Sequence, residues 1–163
     1  MFDHVFGLPM HVLVIHAVVV FVPLTALAAL AYAVVPHWRW LFRWPLLVGS
    51  AASFVAGFVA RQSGQALFDK LNSPAVANVH ASRGHLLFWF LLAFFVVSVA
   101  AVFMLGGPSP LTGGRVWGGA APPVQLVVAA LLVVVSVGTG VQVVRTGDAG
   151  ARAVWAPIEN QGQ

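Results

Sequence analysis

Cysteine is missing from this chain, and acids nearly so. Without a thiol there is no disulfide, no thiolate zinc site, no thiolate-held iron–sulfur cluster and no covalently attached c-type haem. Four carboxylates occur in 163 residues: Asp3, Asp69, Asp148 and Glu159. Against them stand eight bases, all arginine except Lys70. Charged residues make up 7% of the chain, where a soluble domain carries about 25%. That scarcity excludes a soluble domain, a disordered chain and a coiled coil. The net charge of +4 lies among long apolar runs, so it does not point to nucleic acid. No Walker, HExxH, Rossmann or Ser-His-Asp pattern is present, and a hydrolase or nucleotide-driven pump has no support.

What is abundant is apolar sequence, 60% of all residues. A membrane span needs about 20 mostly apolar residues. Four runs meet or approach this: Pro9 to Val35, Trp44 to Ala60, Leu86 to Leu105 and Pro122 to Val144. The first carries no Asp, Glu, Lys or Arg between Asp3 and Arg39, and Pro23 within it predicts a kink. The N-terminus lacks a basic n-region and its apolar run is too long for a signal peptide, so it reads as a true span. The second is short, and helix can continue through Arg61 if that side chain snorkels. The connector from Gln62 to Gly84 is more polar and predicts a short surface helix around Gln65 to Leu71. The Gly/Pro-rich stretch before Pro122 reads as a loop and the polar tail after Trp155 as mobile.

Two stretches share a spacing. His11 and His16 enclose four residues, as do His80 and His85, and each pair leads into an apolar run. The ends of the second and fourth runs also match, VARQSGQAL from Val59 against VVRTGDAGARA from Val143. The expected fold is therefore all-α: one transmembrane domain over 1–163, a four-helix bundle of two tandem hairpins, about residues 9–70 and 80–155. A pseudo-twofold axis along the membrane normal would relate them. Small residues at four-residue spacing (Gly49, Ser53 and Gly57; Ser136 and Gly140) predict close helix packing.

Asp3 before the first run and Arg39 and Arg43 after it place both termini outside the cytoplasm, with Trp38, Trp40 and Trp44 as an interfacial anchor. The whole-chain count opposes this: Arg39, Arg43 and Arg115 face Arg61, Lys70, Arg83, Arg145 and Arg152.

Ionisable groups in spans are costly and functional by default. A haem b between facing helices needs one imidazole from each at matching depth. His16 with His85 meets this requirement, and His11 with His80 is the second pair; Leu86, Phe88, Trp89 and Phe90 would line the pocket. A bare metal held by His11, His16, His80 and Asp148 is the rival. Residues five apart lie about 140° apart around a helix, so one helix aims only one of its two histidines at a common centre. Arg61, Arg83 and Arg145, with Asp148, form another polar cluster at the same face, suited to an anion, a lipid head group or an ion-pair layer. Electron transfer with a separate redox protein, a cofactor-free structural or interaction subunit, and a small-ligand or lipid-binding protein all stay open.

The first run, LPMHVLVIHAVVVFVPL, resembles the opening signature of the bacterial four-span membrane family known as domain of unknown function 2231. HASRG (His80 to Gly84) and RTGDAGARAVW (Arg145 to Trp155) resemble its later motifs. The resemblance implies a bacterial cytoplasmic-membrane protein near electron transfer, with His11, His16 and His80 as the shared set. This chain departs from the family in lacking the proline after His11 and the Phe-Pro after His16.

Overall fold

The computed structural model describes residues 4–5, 8–70, 77–114, 116–117 and 119–161. Asp3, Leu71 and Arg115 lie outside them. Four long helices dominate: α1 (Met10–Val34), α2 (Arg39–Lys70), α3 (Asn78–Met104) and α4 (Pro122–Gln161). Two minimal antiparallel ladders frame them, β1 (His4–Val5) with β2 (Leu8–Pro9) and β3 (Gly107–Pro108) with β4 (Val116–Trp117). Each helix is long and apolar enough to cross a bilayer, and a multi-pass membrane topology is consistent with them.

The helices run further than the hydropathy implied. The segment around Gln65 is not a separate surface helix; it continues α2 without a break to Lys70. α3 begins at Asn78, so His80, Arg83 and His85 sit on its first turns rather than before it. α4 runs on to Gln161, so the tail from Ala156 to Gln161 is helical. α1 and α2 pass unbroken through Pro23 and Pro45.

α1 packs chiefly on α2 and α3 on α4; contacts of α2 with α3 and of α1 with α4 close the ring. Equivalent positions of the hairpins are buried together. On the odd helices Val18 matches Leu87, Val22 matches Leu91, Thr25 matches Phe94 and Ala29 matches Ser98. On the even helices Leu46 matches Leu132, Ser50 matches Ser136 and Ser53 matches Thr139. This is the burial pattern expected of a pseudo-twofold pair of hairpins.

Polarity is arranged for lipid rather than water. Ser50, Ser53, Ser98 and Thr139 are fully buried, while Phe21, Leu24, Leu27, Val48 and Val134 point outward. Serine and threonine let backbones approach closely, and apolar side chains meet hydrocarbon. Gly49 lies against Thr25 and Gly57 against Leu91, as small-residue packing predicts. In α4 the close approach falls instead at Gly138, beneath Phe90; Gly140 faces open space.

Candidate functional site

The bundle has two ends. At one lie the chain reversals α1–α2 and α3–α4. The other, the open end, gathers the start of α1, the end of α2, the start of α3 and the later turns of α4.

At the open end His11 and His80 meet, their ring centres 6.1 Å apart and nearly perpendicular, at 77°. Each ring is tied across its own hairpin. His11 Nδ1 lies 2.9 Å from the Ala60 carbonyl oxygen, and His80 Nδ1 lies 3.0 Å from that of Thr146. A carbonyl only accepts, so both Nδ1 atoms carry hydrogen, and in the neutral ring Nε2 keeps a lone pair. A glycine one turn beyond each acceptor makes room for the ring. A Cβ at Gly64 would lie 2.8 Å from His11 Cε1, and one at Gly150 would lie 3.0 Å from His80. The seat is thus duplicated: imidazole, carbonyl, glycine. This shifts the repeat register inferred from sequence, since Gly64 pairs with Gly150 and Ala60 with Thr146, rather than Arg61 with Arg145.

The second hairpin has further ties. Arg83 Nη1 donates to the Arg145 carbonyl at 2.8 Å, and Gln142 Nε2 donates to the Arg83 carbonyl at 3.1 Å. The Thr146 hydroxyl donates to the Gln142 carbonyl at 2.8 Å. Arg61 sits over the Phe88 ring at 4.9 Å, beside Phe54 and Phe58 in the α2–α3 seam.

His16 and His85 do not converge. Both are exposed. His16 Nδ1 donates to Val12 of its own helix, and His85 lies edge-on to Trp89. The reason is the 140° argument: with His11 and His80 turned inward, residues five later turn outward. Leu86 and Trp89 are exposed, Phe88 packs in the α2–α3 seam and Phe90 packs on Gly138, so they do not surround a pocket at His85. Asp148 stays away from the imidazoles, its carboxylate taking both bonds from Arg152 at 3.1 Å on the surface.

These positions overturn the haem b and metal-binding expectation. Among the described residues, no three His, Cys, Asp or Glu side chains group as a bare metal ion would need, and the leading haem b pair, His16 with His85, is turned apart. Among those residues only the imidazoles of His11 and His80 come together. Electron transfer and a separate redox partner lose their basis with the cofactor.

The sequence reading missed Arg39, taken there as a loop charge. It is buried, at 9% exposure, among carbonyls. Its Nε donates to Tyr32 at 3.1 Å, Nη2 to Ala33 at 3.3 Å and Nη1 to Gly106. The last carbonyls of α1, which lack helical partners, thereby gain charged donors. Tyr32 places its hydroxyl 3.5 Å from the carbonyls of Ala101 and Leu105, joining the same end of α3. Gly107 leaves space there, because a Cβ would lie 2.8 Å from the Pro36 carbonyl. Gln142 and Thr146 were also missed; their sequence signal is two polar residues four apart, one helical turn, in an apolar run.

No family model, curated protein or solved structure matches the chain.

Proposed function

We propose that this chain is a cofactor-free structural or interaction subunit of a membrane, a four-helix scaffold without a catalytic step of its own. One observation carries the reading: the longer polar side chains between the helices are bonded to backbone carbonyls of neighbouring elements. His11, His80, Arg83, Gln142 and Arg39 all do this. A group bonded in this way holds helices together. The kinship with the four-span family suggested by the His11, His80 and Arg145 motifs belongs to this proposal, as does the placement of both termini outside the cytoplasm. A C-terminal reporter active only in the cytoplasm would refute that orientation.

The test is thermal unfolding of detergent-purified protein. Replacing His11, His80 or Arg39 by Ala should lower the melting temperature. If melting is unchanged and the variants instead lose stabilisation by an added small molecule, the polar groups form a ligand site and the scaffold reading fails.

A second reading has its own observation. At about 1.5 Å per residue, the 32 residues of α2 and 40 of α4 far exceed a hydrocarbon core of about 30 Å. If the reversal ends lie at one interface, the open end projects, bearing Arg61, Lys70, Arg83, Arg145 and Arg152 against Asp69, Asp148 and Glu159. Such an excess suits anionic head groups. Stabilisation by phosphatidylglycerol over phosphatidylcholine, lost in Arg61→Gln with Arg145→Gln, is its expected signature.

A further inference from the structure

The imidazole pair does something a clasp of amides would not. Nδ1 of each ring is committed to a carbonyl, so any added proton goes to Nε2. With both rings neutral, one uncharged contact joins the two hairpins across the pseudo-twofold axis. A single proton still leaves one ring neutral. A second proton puts two like charges on rings whose centres are 6.1 Å apart.

Among the described residues, no carboxylate compensates these two charges. α1 brings no Asp, Glu, Lys or Arg over its length, and its other histidine, His16, is turned outward. α2 brings Arg61, next to the Ala60 acceptor, and further along Asp69, which accepts from Gln65, and Lys70. α3 brings Arg83, which donates to Arg145, and the exposed His85. α4 brings Arg145 and, past it, Asp148 paired with Arg152. The described bases near this level thus add positive charge, and the carboxylates of Asp69 and Asp148 have other partners.

We propose that His11 and His80 form a proton-operated latch: as neutral rings they hold the open ends of the two hairpins together, and protonation of both drives those ends apart. The proposal rests on the scaffold reading for the clasp and adds a response to acid. Partial burial of both rings makes the repulsion felt, since charges withdrawn from water are less screened. The two hairpins are joined at the far end by Arg39 and Tyr32, so opening would be a hinge rather than dissociation.

The chain has no cysteine, so spin labels can be placed at will. Gln62→Cys on α2 and Ala151→Cys on α4 are exposed positions on different hairpins. In phosphatidylcholine nanodiscs, the distance between labels is measured by pulsed electron resonance at about pH 8 and about pH 5, either side of the ordinary imidazole range. A lengthening of several ångström at the lower pH is expected, and it should vanish in His11→Asn with His80→Asn. Asparagine keeps an N–H for each carbonyl but does not titrate. An unchanged distance in the parent chain overturns the latch, and so does a change that persists in the asparagine variant. The scaffold reading is tested separately, by melting of the alanine variants at about pH 8, where imidazole is ordinarily neutral.

Discussion

The two ends of the bundle solve one problem with different chemistry. At the reversal end a single guanidinium reaches three carbonyls, two on α1 and one beyond α3. At the open end two imidazole rings each reach one carbonyl and then meet. Arginine keeps its charge at any accessible pH, so the first fastening is permanent. Histidine does not, so the second is conditional. The fastenings also differ in symmetry. The imidazole seat occurs once in each hairpin, whereas Arg39 has no charged counterpart, because its equivalent in the second hairpin is Gln125. Duplication built the open end, and a one-off residue locks the other.

Substitutions can break this contrast in order of expected size. Arg39→Ala should cost the most, about 3 kcal/mol, since several buried carbonyls lose charged donors at once. Chemical or thermal unfolding in detergent would register it, and a loss below that of His11→Ala would invert the ranking of the two ends. Gly64→Ala and Gly150→Ala should follow, at about 1–3 kcal/mol, because the added methyl overlaps a seated ring. Gly140→Ala and Gly147→Ala meet open space and should be neutral or stabilising by up to about 1 kcal/mol, the helix-propensity gain. Comparing melting of these four variants tests whether glycine serves the rings or only the helix.

His11→Ala and His80→Ala should each cost about 1 kcal/mol, in keeping with polar contacts between membrane helices. A double-mutant cycle should show coupling between them, and strict additivity would mean that the rings do not communicate. The smallest loss belongs to Asp148→Ala, at most about 0.5 kcal/mol and screened by salt, because its pair with Arg152 is exposed.

Much of this architecture was legible without coordinates. Runs free of charge announced the four helices, because lipid tolerates little else. Spacing of the histidines announced the repeat, and the 140° turn between residues five apart limited each helix to one inward imidazole. Choosing which one faced inward was another matter. Hydropathy favoured His16 and His85 as the deeper pair, but depth along a helix says nothing of its rotation, and rotation is set by where Val18, Val22, Leu87 and Leu91 bury. Arg39 was illegible for a related reason. Its neighbours in sequence are tryptophans of an interfacial kind, while its partners Tyr32, Ala33 and Gly106 are brought to it by the reversal of the chain. Helix length was underestimated as well, since hydropathy reports where lipid ends and not where backbone hydrogen bonding ends.

Composition and periodicity alone therefore determined that this chain forms four apolar helices in two similar hairpins, because the solvent imposes that through the backbone's need for internal hydrogen bonds. Only tertiary structure decided which imidazoles meet, which glycines admit them and which arginine is buried. Those outcomes depend on helix rotation and on contacts between residues far apart in the chain, and no local pattern encodes either.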